Sequence, residues 1–286
     1  MNIVLNNYVI QYRPHKSVLS SLSAYWMEDG GFTVVKKKKG ARKKGSGLKR
    51  TTVIADNSEP DIDKSSVVAR IEAARKELLS SEYWAEFVSV TESALTKVEA
   101  VYCFGLGHFS DSVTAKYQFA LLLCIQERFN ITEVQLSDPV FYRCERDLLS
   151  QHFHLEVLSQ NSECRQPCSQ PSLVFLPHCP KQMTNNLLFS NWEPRMLSNL
   201  FLISNSLSNI NNNEDLYFIK TVNREKFVEE SCLRNIFKYQ DIFNDLSLHR
   251  FTIHNSSLES PVWSNFTKPQ YNDNDVEFIT ASKELI

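Results

Sequence analysis

The sequence lacks any apolar run long enough to cross a membrane. A spanning helix needs about 20 apolar residues, whereas the longest uninterrupted run in this 286-residue chain covers residues 119–125. The first residues, MNIVLNNYVIQYRPHKS, also lack the basic segment and apolar stretch of a secretory signal. We therefore expect a protein of the cytoplasm and nucleus that makes no membrane contact.

Paired metal ligands and a disulfide pattern are also missing. The seven cysteines are an odd number scattered along a long chain, which favours reduced thiols. Cys164 and Cys168 have no second Cys/His pair at the spacing of a zinc finger. The sequence therefore predicts no structural metal.

Acidic residues are absent from the segment 36–50, which carries nine basic ones. The remainder has 22 basic and 33 acidic residues, a net charge of −11. Glycine, serine and like charges predict that residues 1–62 form a disordered arm. The basic run is open to three interpretations: a solvated tail, a nuclear-import signal, or a nucleic-acid contact. It contains no aromatic residue that could stack on bases.

From residue 63 onwards, the pattern changes to alternating helices and strands. Apolar residues at three- and four-residue intervals predict helices over 64–96. Strands follow at VEAVYCFGLG, TEVQLSDP, LEVLS, SLVFLP, NLFLISNS and LHRFTIH, separated by helical segments, with further helical spacing over 218–243. Such alternation predicts a mostly parallel sheet in a Rossmann-like three-layer α/β sandwich spanning 63–255. Residues 256–286 are predicted to be a C-terminal tail or lid.

Polar and glycine residues follow several predicted strands, where parallel sheets bind their ligands. We therefore expect one crevice built from residues of four connections. The candidate residues are Gly105, Gly107, His108, Ser110, Asp138, His178, Cys179, Asn191, Asn205 and Ser206.

The glycine loop after the first strand has two interpretations. Its glycines and the next helix N-terminus could receive the anionic part of a nucleotide, or it could be a tight turn before a capped helix. Ser110 replaces the third glycine of a dinucleotide fingerprint, and Asp138 comes 31 residues after Gly107 instead of roughly 20. Asp138 itself either binds a ribose or caps a helix that has Pro139 in its first turn.

The Pro177-His178-Cys179-Pro180 turn also leaves alternatives open. A Cys-His nucleophile pair is disfavoured because adjacent residues of an extended loop point apart. Cys179 is a candidate axial ligand for haem iron. Otherwise the prolines fix the exit from the strand, and the histidine and thiol form hydrogen bonds in the crevice. Haem or a nucleotide is therefore the cofactor to test.

Four stretches together resemble the SRR1-like family, named for a plant protein, "sensitivity to red light reduced". They are CFGLGHFSDSVTAKYQFALLL, QLSDPVF, LVFLPHCPKQMTNNLLFSNW and LFLISNSL, within residues 65–210. The resemblance implies a regulatory protein without established catalysis, linked to circadian-clock input in plants and to haem metabolism or microtubule stability elsewhere. A small-molecule ligand and regulatory protein partners are implied. The alternative is a Rossmann-like enzyme that binds a nucleotide or S-adenosylmethionine.

Overall fold

The structure is a computed structural model that describes residues 2–5, 8–11, 60–208, 216–271 and 278–281. The chain divides into two units, residues 1–58 and 59–286. In the first unit, β1 (Asn2–Leu5) and β2 (Tyr8–Gln11) pair as an antiparallel hairpin. The basic run 36–50, and with it most of the predicted arm, lies outside the described residues.

The second unit is built around a seven-stranded sheet. Its strands are β3 (Ala100–Phe104), β4 (Glu133–Ser137), β5 (Glu156–Val157), β6 (Ser172–Leu176), β7 (Leu200–Asn205), β8 (Val228–Cys232) and β9 (Leu246–Phe251). Their order across the sheet is β5-β4-β3-β6-β7-β9-β8. The five strands from β5 to β7 in that order pair in parallel, and β9 runs antiparallel to both β7 and β8. The predicted mostly parallel sheet is thus confirmed.

Helices connect the strands and cover both faces of the sheet. They are α1 (Lys64–Leu79), α2 (Glu82–Leu95), α3 (Val113–Phe129), α4 (Arg143–Gln151), α5 (Lys181–Ser190), α6 (Pro194–Asn199) and α7 (Tyr217–Arg224). Short 3-10 turns follow at Asn255–Ser257 and Pro261–Trp263. Among the described residues, no helix combines the length and the apolarity needed to cross a bilayer.

Alternate residues of the central strands face two separate cores. Val101 and Cys103 of β3 pack in one cluster with α1, α3 and α4, whereas Tyr102 and Phe104 pack in the other with α5 and α7. Successive side chains of a strand point to opposite faces, so strands covered on both sides must be apolar throughout. The three-layer α/β sandwich is therefore the observed fold.

The predicted helical pattern over 218–243 holds only in its first part. The helix ends at Arg224, and residues 228–232 form β8, an edge strand of the sheet. In this stretch Glu229, Ser231 and Cys232 lie on or near the surface. Apolar spacing alone does not distinguish a helix from a loop and a half-exposed edge strand.

The N-terminus of α7 is capped from another helix. Asn185 of α5 accepts hydrogen bonds through Oδ1 from the backbone N–H of Phe218 (3.0 Å) and of Ile219 (3.3 Å). Its Nδ2 donates to the hydroxyl of Tyr271 at 2.8 Å. One buried amide thus joins α5, α7 and the C-terminal segment.

Candidate functional site: the carboxyl edge of the sheet

The backbone of the loop after β3 lies closer to Cys179 than a side chain at position 105 would allow. Gly105 and Gly107 are the only glycines after residue 47, and both have positive φ angles, +67° and +75°. A Cβ atom added to Gly105 would lie 2.4 Å from Sγ of Cys179. Glycine at position 105 is therefore required by conformation and by space.

Cys179 fills the crevice over the ends of β3 and β6. Its Sγ lies 3.3 Å from the carbonyl oxygen of Phe104 and 3.7 Å from that of Gly105, within reach of weak hydrogen bonds. Burial raises the pKa of this thiol well above its ordinary value, and the nearby carboxylate of Asp138 adds to the shift. In an open α/β sheet a ligand binds where the strand order reverses, which in this sheet is between β3 and β6. Here the protein's own thiol occupies that position.

Asp138 joins the end of β4 to the glycine loop. Its Oδ2 accepts a hydrogen bond from the N–H of Gly107 at 2.7 Å, and its Oδ1 accepts one from the N–H of Val140 at 3.0 Å. Burial raises the pKa of Asp138, although these two hydrogen bonds act in the opposite direction. The helix-cap interpretation is wrong, because α4 begins at Arg143, five residues after Asp138.

Glu145 organises the rest of the loop, although the sequence did not indicate it. Its carboxylate has 0% exposed area and accepts hydrogen bonds from the N–H of Ser110 (2.9 Å) and the N–H of Tyr142 (3.0 Å). Nδ1 of His108 lies 3.0 Å from the same carboxylate. The bond to Tyr142, three residues earlier, is half of a capping box. That local signal marks a helix start but does not reveal the contact with residues 108–110.

His108 is held on two sides. Its ring stacks on that of Tyr142 with a centroid separation of 3.7 Å and an interplanar angle of 14°. Partial burial lowers the pKa of His108, but the hydrogen bond and the charge of Glu145 outweigh this, and the pKa lies above its ordinary value. The buried hydroxyl of Ser110 has no hydrogen-bond partner within the described part of the chain.

The ends of β6 and β7 meet the β8–β9 connection. His178, with a positive φ of 56°, places Nε2 3.0 Å from the carbonyl oxygen of Asn244. The N–H of Ser206 donates to the carbonyl of Asp245 at 3.0 Å, and Asn205 lies 3.4 Å from its carboxylate. The sequence does not indicate Asn244 and Asp245 as part of the edge, because only the antiparallel placement of β9 brings them there.

Asn191 is not at this edge. Its side chain bonds to the N–H of Cys168 and the carbonyl of Gln166, both at 2.7 Å. These residues precede β6, so they lie at the amino edge of the parallel strands. The helix α5 runs back along the sheet, and its last turn therefore ends opposite the predicted crevice. Asn191 serves to anchor the connection into β6.

The predicted haem ligand does not fit haem in this structure. A thiolate is the axial ligand, whereas the thiol of Cys179 has a raised pKa and points at the backbone of Phe104 and Gly105. No three His, Cys, Asp or Glu side chains of the described ranges are grouped as metal ligands. We therefore derive no chemistry through haem or metal at this edge.

The fold and this edge define an α/β protein of Rossmann-like architecture whose glycine loop is bound by its own carboxylates. The SRR1 domain model matches residues 69–250. An SRR1-like protein of Drosophila melanogaster is 31% identical over 199 residues, covering 67% of this chain and 71% of the relative. The chain therefore belongs to the SRR1 family.

Two further relatives and one solved structure are similar to the chain. The SRR1-like protein of Mus musculus is 27% identical, covering 58% of this chain and 81% of the relative. Protein SENSITIVITY TO RED LIGHT REDUCED 1 of Arabidopsis thaliana is 25% identical, covering 48% and 54%. The crystal structure of the O-methyltransferase NcsB1 aligns with a TM-score of 0.33 and 8% identity, covering 66% of this chain and 58% of that one. This last likeness is too distant to bear on activity.

Proposed function

We propose that this chain is a regulatory protein that acts by binding and not by catalysis, in signalling connected to circadian-clock input. Membership of the SRR1 family and the name of the Arabidopsis relative, which refers to red-light sensitivity, support the proposal. A small molecule and regulatory proteins are the proposed partners. The proposed location is cytoplasm and nucleus, with the basic run 36–50 as import signal.

One observation carries the non-catalytic part of the proposal. A nucleotide-binding loop offers free backbone N–H groups to phosphate oxygens. Here the N–H of Gly107 and that of Ser110 donate to the carboxylates of Asp138 and Glu145. An incoming phosphate would have to displace both buried carboxylates, and their charge repels it. This arrangement disfavours an enzyme that holds a nucleotide phosphate at the loop.

Haem-linked control is compatible with this function only if haem is bound elsewhere or by a partner. The packing of Cys179 against Gly105 is a sufficient structural reason for the Pro-His-Cys-Pro turn. A Cys179→Ala variant should therefore give the same Soret spectrum with ferric haem as the unmodified chain. A distinct spectrum would restore Cys179 as a ligand.

Gene deletion in the native host tests the regulatory role. We expect altered period or phase of rhythmic transcripts over two days in constant conditions, restored by the full chain and not by a chain lacking residues 36–50. Unchanged rhythms would contradict the clock-input proposal. Steady turnover of NAD(P)H, S-adenosylmethionine or ATP by the purified chain would contradict its non-catalytic part.

A further inference from the structure

A cavity of about 180 Å³ opens at the carboxyl edge, beside the filled crevice. It lies where β4 and β5 end, and the loops after these two strands form most of its wall. The residues that matter for its chemistry are Asp138, Arg146, Leu158, Ser159, Gln160 and Ile279. Its volume is below the roughly 300 Å³ typical of sites for drug-sized ligands. A dinucleotide is therefore too large for this cavity, which leaves room for a smaller ligand.

Asp138 supplies a fixed acceptor in this wall. Its side chain is held by the N–H groups of Gly107 and Val140, and the residue is only 6% exposed. An ionised carboxylate can accept about four hydrogen bonds, so each oxygen keeps capacity for one more donor. A carboxylate at the end of a strand is the group that binds ribose hydroxyls in dinucleotide-binding folds. A vicinal diol is the ligand group that would use both oxygens.

Gln160 supplies a donor and an acceptor on the neighbouring strand end. This residue is exposed and lines the cavity. A glutamine carboxamide pairs with adenine through N6 and N7 in a bidentate manner. Adenine is therefore the heterocycle whose edge best matches this side chain.

The remaining wall suits a flat aromatic ring. Leu158 and Ile279 present aliphatic surface. The guanidinium of Arg146 is directed by its contacts to the carbonyl of Phe141 (3.3 Å) and that of Asp138 (3.4 Å). A planar guanidinium stacks on aromatic faces. The cavity thus combines a diol acceptor, a base-edge amide and stacking surface.

We propose that this cavity binds an adenosine-type nucleoside group, with the ribose diol on Asp138 and the adenine edge on Gln160. The phosphate-binding positions of the glycine loop are taken by Asp138 and Glu145, so the nucleoside itself supplies the affinity. The inference goes beyond the regulatory function: it names the class of small molecule and requires no reaction.

Calorimetric titration of the full chain with adenosine tests the proposal without any variant. Adenosine should bind at one site, and 2′,3′-dideoxyadenosine should bind about tenfold more weakly or worse, because hydrogen bonds to a charged acceptor are lost. Uridine should also bind more weakly, because it lacks the adenine edge. No binding of adenosine, or equal binding of the dideoxy compound, would overturn the proposal.

A pair of tryptophan variants locates the site. Ser159 is exposed and lines the cavity, so Ser159→Trp should fill it and abolish adenosine binding. Ser169 is equally exposed but precedes β6 at the opposite edge, so Ser169→Trp should leave binding unchanged. Undiminished binding by Ser159→Trp, with both variants folded by circular dichroism, would place the ligand elsewhere and refute this site. Either result leaves the turnover and rhythm tests of the regulatory function unaffected.

Discussion

The second unit contains two histidine–carboxylate pairs, one at the carboxyl edge of the sheet and one between the middles of β8 and β9, and their burial is opposite. In the first pair, the carboxylate of Glu145 is fully buried and the side chain of His108 is 22% exposed, with 3.0 Å between Nδ1 and Oε2. In the second, His249 is fully buried and Glu230 is 20% exposed, with 3.6 Å between Nε2 and Oε2. In the first pair, the buried carboxylate of Glu145 holds the loop of residues 108–110. In the second, the partly exposed carboxylate of Glu230 holds the residues that follow β7.

The pKa shifts of the two pairs follow their environments. Partial burial lowers the pKa of His108, but Glu145 outweighs it and raises the value. Burial raises the pKa of Glu230, but His249, Ser206 and Ser247 outweigh this and lower it to about 2. The N–H groups of Leu207 (3.2 Å) and Ser208 (3.0 Å) also donate to Glu230. A histidine–carboxylate pair can therefore hold a loop in place through a buried carboxylate, as Glu145 does, or through a partly exposed one, as Glu230 does.

The largest effect on stability should come from replacing the buried Glu145. Glu145→Ala leaves the N–H groups of Ser110 and Tyr142 without their acceptor, and each such loss costs about 1–3 kcal/mol. We expect a loss of about 4 kcal/mol in the free energy of unfolding, measured by urea denaturation. Glu127→Ala is the control, because Glu127 is 65% exposed in its ion pair with Arg75 and should cost less than about 1 kcal/mol. Similar losses in both variants would show that the carboxylate of Glu145 does not hold the loop.

Gly105→Ala should have the next largest effect. The added Cβ would lie 2.4 Å from Sγ of Cys179 and would impose a positive φ on alanine, so we expect a loss of about 3 kcal/mol. Gly107→Ala is a matched control: its φ is +75° but the nearest atom is 4.0 Å away, so only about 1–2 kcal/mol should be lost.

The double variant Gly105→Ala with Cys179→Ala isolates the steric part. In the Cys179→Ala background the glycine replacement should cost no more than Gly107→Ala does, because the opposing sulfur is gone. An unchanged cost in that background would show that Cys179 does not fill the crevice.

Glu230→Gln should have a smaller, pH-dependent effect of about 2 kcal/mol near neutral pH, since solvent screens this partly exposed carboxylate. The pKa of Glu230 is lowered to about 2, so its stabilisation is present above the ordinary value of about 4.3 and is lost as the pH falls towards 2. Urea denaturation from pH 7 to pH 2.5 measures the difference between the two chains. A difference that does not shrink in acid would show that the ionised carboxylate of Glu230 does not stabilise the fold.

His108→Gln should show the smallest effect and the opposite pH dependence. A raised histidine pKa stabilises the fold fully below the ordinary value of about 6.5, and this contribution is lost as the pH rises through the folded-state pKa. The difference in melting temperature from the unmodified chain should therefore shrink between pH 6 and pH 8. NMR titration of the His108 ring checks the pKa directly, and Glu145→Gln should lower it. A His108 pKa at or below the ordinary value would be the contrary result.

The sheet was predictable because its strands carry the signal themselves. SLVFLP and NLFLISNS are short apolar runs bounded by turn residues, and they are observed as β6 and β7. The edge strand β8 (Val228–Cys232) was missed because half of it faces solvent and its pairing partner, β9, lies further along the chain. The spacing of apolar residues along the sequence indicates which residues are buried, but it does not indicate which strands pair.

The site was predictable only in part, for a similar reason. Glycines and an Asp-Pro step at strand ends indicated the contacts of Gly107 and Asp138. Glu145 and Asp245 reach the same edge through tertiary packing and leave no local mark except the helix start at α4. The prediction that Asn191 lies at the carboxyl edge is wrong, because α5 runs back along the sheet and ends at the amino edge of the parallel strands.

Amide hydrogen exchange at Gly107 and Ser110, followed by NMR, tests most directly whether the carboxylates hold this loop. Both amides should be strongly protected in the unmodified chain, and Glu145→Ala should release Ser110 while Gly107, bound to Asp138, stays protected. Exchange of both amides at the rate of an open loop, in the unmodified chain, would mean that the loop is free for an anion and would contradict the account.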